Sequence, residues 1–237
     1  MKVFSLFFFL IYFNSLSVGQ NIGATEIEDS AVKPWLTKVH TEYAGVYHFG
    51  ESESESNLKI FFSGPLIVGQ IKSGYWEEGT GIWKWKYVNL SNIEIQKNGQ
   101  FKSDQYNGQF VTYSSHKLIH KGLKISNPWN TWLPNGEYEV GIRLKKDPFD
   151  YLGRYPQASF KLLTLSEIET FSKENLQIMR NEIFARYGYI FTKGGEMDKY
   201  FKTQNWYHSQ HKNVNSFLTE LELLNIELIK IAELKKQ

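Results

Sequence analysis

The segment Asn181-Glu182-Ile183-Phe184-Ala185-Arg186-Tyr187-Gly188-Tyr189-Ile190-Phe191 gathers the groups best suited to recognising a ligand. Arg186 carries a planar fork of donors that matches a carboxylate. Asn181 adds an amide, and Tyr187, Tyr189 and Trp206 add aromatic faces that suit sugar rings and cations. These five are the candidate ligand-binding residues, for an anionic or sugar-bearing ligand. The same residues also have a structural reading. Glu182 and Arg186 stand four apart in the order that favours a helical ion pair. Arg186 falls in a last helical turn, where a guanidinium can bond orphan carbonyls. Gly188 stops the helix, and the flanking aromatics seed a small core.

Other chemistry is thinner. His116 and His120 share a face of a strand, and His208 and His211 lie three apart near a loop. Neither pair comes with carboxylates at metal-binding spacing, so no metal is expected. Glu51 to Ser56 alternates acid and serine but lacks the aspartate and glycine pattern of a calcium loop. Trp76, Trp83, Trp85, Trp129 and Trp132 fit a barrel interior, a sugar-stacking surface or plain core packing. No nucleophile elbow, phosphate loop or dinucleotide fingerprint is present, and the 25 acidic residues single out no acid–base pair. No catalytic residue and no cofactor is expected.

The elements that must position these groups change character along the chain. From about Trp35 to Leu163 short runs alternate apolar and polar residues, as in Val46–Phe49, Leu58–Phe61, Ile93–Ile95, Phe110–Tyr113, Leu123–Ile125 and Tyr138–Ile142. Alternation gives each strand one buried face. Asn98-Gly99, Asn107-Gly108 and Asn135-Gly136 are hairpin signals, because both residue types tolerate positive φ. Crossover helices are missing, so the sheet is expected to be antiparallel, as a barrel or a sandwich. Asp147 to Pro156 reads as a loop, and Ala158 to Leu162 as a last strand. From Thr164 the period becomes helical. Capping boxes start at Thr164 and Ser166. A first stripe carries Leu176, Met179, Ile183, Phe184 and Tyr187, and Glu196 to Phe201 reads as a short second helix. A third helix, Leu218 to Leu234, shows Leu221, Leu224, Leu228 and Ile231 on one face.

The segment 181–191, with Leu176 to Arg180, Tyr200-Phe201, Trp206-Tyr207, Leu218-Thr219-Glu220 and Asn225-Ile226 in order around it, resembles the YARHG family over Thr164 to Glu233. Phe184 stands where the family has Tyr, and Tyr187 where it has His. The resemblance implies a bacterial extracytoplasmic domain of unknown function. It implies a fold and a compartment, not a reaction.

Composition bounds the rest. Lys2, the apolar run Val3 to Phe13, and Ser17-Val18-Gly19 before Gln20 have the layout of a secretory leader. Eleven apolar residues fall short of the ~20 that span a bilayer. There is no cysteine, hence no disulfide, zinc–thiolate site or lipidated N-terminal cysteine. A net charge of +2 makes no case for nucleic acid. The expectation is α+β in two segregated parts after a leader at 1–19. An antiparallel β barrel or sandwich spans 35–163, and a small all-α YARHG-like domain spans 164–237. The expected role is an exported, non-catalytic cell-envelope protein, periplasmic or extracellular in a bacterium. It would bind a cell-wall polymer, a small ligand or an envelope protein, with no transmembrane segment once the leader is gone. The alternatives are a hydrolase acting on envelope material and a purely structural role in envelope assembly.

Overall fold

The computed structural model describes residue 27 and residues 31–115, 118–130 and 138–236. The leader, His116, Trp132 and Asn135-Gly136 lie outside them. Ten strands form one sheet: β1 (Val32–Pro34), β2 (Gly45–Phe49), β3 (Ser56–Ser63), β4 (Leu66–Trp76), β5 (Trp83–Asn89), β6 (Glu94–Ile95), β7 (Gln100–Lys102), β8 (Asn107–Ser115), β9 (Leu118–Ser126) and β10 (Tyr138–Arg143). The order is β5-β4-β3-β2-β10-β9-β8-β7-β6, with β1 added against β8, and all pairings are antiparallel. The inward side chains meet in one core that includes Tyr43, Tyr47, Phe49, Leu58, Ile60, Ile71, Ile95, Phe101, Phe110, Leu123 and Ile125. In this core two buried tyrosine hydroxyls are satisfied: Tyr43 donates to the Trp35 carbonyl at 2.8 Å and Tyr47 to the Tyr43 carbonyl at 2.7 Å.

The barrel alternative is not what forms. The sheet is open, and its edges β5 and β6 are consecutive in the chain. No ladder joins them; the linker between them is tied instead to the β7–β8 loop, where Asp104 N donates to Ser91 O at 3.0 Å. The two residues of β6 pair with β7 alone. One of the hairpin expectations also differs. Asn107-Gly108 is not a turn but the start of β8. Glycine is needed there because a Cβ would stand 2.3 Å from the Lys124 carbonyl oxygen across the ladder. Asn98-Gly99 does turn between β6 and β7, with Gly99 at φ +78°.

The strand expected at Ala158 to Leu162 is replaced by a single 3₁₀ turn, Pro156–Ser159. The reason lies in the last helix. Asn225 donates to the carbonyls of Ala158 (2.8 Å) and Lys161 (2.7 Å) and accepts from Leu163 N (2.9 Å), so no neighbouring strand is required. Four helices follow: α1 (Leu165–Ile168), α2 (Lys173–Arg186), α3 (Glu196–Lys202) and α4 (Glu220–Leu234). Thr164 and Glu167 form the expected capping box on α1, and Ser172 caps α2. Leu176, Met179 and Ile183 are buried as expected. On α4 the buried positions are Leu221, Glu222, Asn225, Ile226, Ile229 and Ala232, whereas Leu224 and Ile231 face solvent. A carboxylate and an amide thus take core positions that the apolar stripe assigned to leucines.

The helices pack on the sheet's outer face. Phe61 and Val68 meet Leu221, Phe160 and Leu162 there. Polar ties join the same seam. Asn89 Nδ2 donates to Leu218 O at 2.7 Å, Trp85 N to the Gln210 side chain at 3.2 Å, and His211 Nε2 lies 2.8 Å from Trp85 O. Gln210 and His211 therefore satisfy groups on the edge strand β5 that would otherwise invite another chain. Among the described residues no helix is long and apolar enough to cross a membrane.

Candidate functional site

The end of α2 places the candidate residues. Gly188 adopts φ +71°, and Tyr189 N reaches back to Phe184 O at 3.2 Å while Gly188 N bonds Ala185 O at 2.9 Å. This left-handed cap turns the chain sharply, so side chains on its two sides go to different places.

Arg186 goes inward. It donates Nε to Leu152 O (2.7 Å), Nη1 to Ser159 Oγ (2.9 Å), and Nη2 to Tyr155 O (3.0 Å) and Glu182 Oε2 (3.0 Å). Four of a guanidinium's five N–H groups are thus spent inside the protein. The expected Glu182–Arg186 pair forms, with side chains 1% and 6% exposed. The carbonyls that Arg186 bonds belong to the loop before α1, not to its own helix. Glu182 completes the knot by accepting from Arg154 N and Tyr155 N, both at 2.7 Å.

Tyr187 also goes inward, to the seam with the sheet. Its hydroxyl donates to Glu222 Oε2 at 2.7 Å and lies 3.1 Å from Gln70 Nε2 of β4. Tyr87 of β5 meets its ring edge-on at 4.7 Å. Glu222 Oε2 accepts in addition from Thr219 N (3.0 Å), while Oε1 is buried without a hydrogen-bond partner. Burial pushes the Glu222 carboxyl up, against the pull of Ser159, Tyr187, Thr219 and Arg186.

Asn181 and Tyr189 stay at the surface side. They line a cleft of ≈ 420 Å³ between α2 and α3, together with Gln177, Phe191, Thr192 and Glu196. Asn181 Nδ2 donates to Gln177 O at 2.7 Å, and Tyr189 packs edge-on against Phe191 at 5.1 Å. Arg180 at the rim is committed to Glu233 through two bonds of 2.8 and 3.2 Å. Trp206 packs with Phe201 and Tyr207, in the same small cluster that Tyr189 borders, but it does not line the cleft. So of the five candidates the fold brings Asn181 and Tyr189 together in the cleft, hides Arg186 and Tyr187, and leaves Trp206 behind the cleft's aromatic wall.

Among the described residues no group of three metal-binding side chains converges. Trp76, Trp83 and Trp85 form an edge-to-face row on the outer face of the β4–β5 hairpin, at 5.0 and 6.0 Å. Trp83 lies against Gly74, where a Cβ would come within 1.8 Å of the ring. Trp129 instead fills the inner core against Phe49. Gln70, Glu222 and Lys59 were not singled out from the sequence. Gln70 and Lys59 meet partners far along the chain, so no local spacing marks them, whereas Glu222 stands at capping-box spacing from Thr219, a local signal that marks a helix start and not its burial against Tyr187.

No curated protein and no solved structure matches this chain. The helical part does have a known relationship, which the capped α2 with its buried arginine makes structurally intelligible: residues 154–233 match the YARHG domain, an extracytoplasmic domain of unknown function.

Proposed function

We propose that this protein is an exported, non-catalytic binding protein of the cell envelope that holds a cell-wall polymer in the cleft between α2 and α3. The observation that carries the reading is the pairing of Asn181 and Tyr189 in that open cleft, beside the polar groups of Gln177 and Thr192. Amide and hydroxyl groups around an aromatic wall suit a sugar ring, which presents hydroxyls at its edge and C–H groups on its faces. The leader layout at 1–19 supports export, and N-terminal sequencing of the secreted protein should begin at Gln20.

The test is sedimentation of the purified protein with insoluble peptidoglycan. The wild type should pellet, and an Asn181→Ala/Tyr189→Ala variant should bind about tenfold more weakly, ~1.4 kcal/mol. A wild type that stays in the supernatant, or a double variant that pellets equally, removes this reading.

A further inference from the structure

Lys59 and Lys72 project from the outer face of β3 and β4, because their neighbours Leu58, Ile60 and Ile71 point into the core. The ladder sets Lys59 opposite Gln70, so Lys72 is its diagonal neighbour on the same face. Lys59 Nζ sits 3.7 Å from the centroid of the Tyr151 ring. Lys72 Nζ sits 4.2 Å from the Trp85 ring and 6.0 Å from that of Tyr87. The rings hold the ammonium groups in place and accept none of their hydrogen bonds. Neither lysine has an ion-pair or hydrogen-bond partner among the described residues. Both are only half-buried.

Charge makes the arrangement costly. Burial, then Lys146 and Lys72, depress Lys59 to about 8, while Glu222 and Asp150 act the other way. Burial and Lys146 also pull Lys72 down. Asp150 is 3.9 Å from Lys146 itself, and Glu222 is taken up by Tyr187 and Thr219. Half-buried cations usually keep a partner. Two such cations, diagonal neighbours on one face and each fixed over an aromatic ring, form a surface that an anion would stabilise.

We propose that Lys59 and Lys72 bind a phosphate group at the seam between the sheet and the helices. Lysines are point charges that can surround a tetrahedral phosphate, whereas a planar carboxylate is better served by a guanidinium fork. Arg186, the guanidinium buried at this seam, has its donors committed elsewhere. The site lies on the sheet rather than in the α2–α3 cleft, so it stands or falls independently of the polymer reading.

The experiment uses the purified protein and inorganic phosphate, against chloride at equal ionic strength. Phosphate should raise the Tm by about 3 °C. A Lys59→Met/Lys72→Met variant should lose the rise, and Lys86→Met, exposed on the opposite face of β5, should keep it. A second measurement needs no variant: amine labelling followed by mass spectrometry. Labelling of Lys59 and Lys72 should slow about tenfold when phosphate is held about ten times above its Kd, with Lys86 unchanged. Sedimentation with phosphatidylglycerol vesicles then separates sources: pelleting assigns a lipid headgroup, and phosphate protection without pelleting assigns a soluble phosphate ester. No Tm rise with no protection, or equal protection of Lys86, overturns the proposal.

Discussion

At the scale of single residues, the buried ion pair and the unpaired cations should respond to mutation in opposite directions. Arg186→Ala leaves Glu182 buried with one partner fewer and should cost about 3 kcal/mol or more in urea unfolding. Arg186→Lys should not restore it, since one ammonium cannot reach three oxygens and Ser159 at once. Lys59→Met should instead stabilise the protein at pH 7 by on the order of 1 kcal/mol. Because folding lowers the Lys59 pKa from 10.5 to about 8, its penalty is full below pH 8. The penalty fades as pH rises towards 10.5, and the gain from Lys59→Met should fade with it. Glu222 runs with the other sign pattern for a raised acid. Its contribution is full below the ordinary carboxylate range and is lost as pH rises through its elevated value. Glu222→Gln should flatten that fall in a stability-versus-pH series. The spacing of Glu182 and Arg186 was legible in the sequence because the partners are one turn apart. The roles of Glu222 and Gln70 at the seam were not, because Tyr187 reaches them across 35 and 117 residues; only the capping-box spacing of Glu222 from Thr219 is local.

At the scale of elements, the α2 cap separates conformational strain from steric exclusion. Gly188 and Gly194 both have positive φ, at +71° and +77°. A Cβ at Gly188 would lie 2.8 Å from the His208 carbonyl oxygen, whereas nothing stands within 4 Å at Gly194. Gly194→Ala should therefore cost only about 1 kcal/mol, and Gly188→Ala clearly more, measured by chemical unfolding of both variants. The helical period, the Thr164 capping box of α1 and the Gly188 cap of α2 were readable because they depend on residues a turn apart, whereas the box expected at Ser166 falls inside α1 and caps nothing. The buried face of α4 was not. Its Glu222 and Asn225 are drawn inward by Tyr187 and by the 158–163 backbone, and that displaces Leu224 and Ile231 to the surface.

For the whole molecule, the decisive feature is the seam. Phe61 is fully buried under Leu221, and the edge of β5 is satisfied by Gln210 and His211. The sheet and the helices should accordingly unfold in one transition, with tryptophan fluorescence and far-ultraviolet circular dichroism giving the same midpoint. Phe61→Ala should lower both signals together, by about 3 to 5 kcal/mol. Two separate midpoints would show that the halves are stable alone.

Strand period, helix period and the glycine-capped motif were determined by the sequence itself, since each rests on neighbours within a few residues and on intrinsic backbone preference. That reading sufficed for an antiparallel sheet followed by helices. The tertiary structure alone decided that the sheet stays open, that Arg186 and Tyr187 are interior and that Asn181 and Tyr189 share a cleft. It also decided that Lys59 and Lys72 meet on one face. Those outcomes depend on which distant surfaces exclude water together, and burial, unlike periodicity, is a property of pairs brought together only by folding.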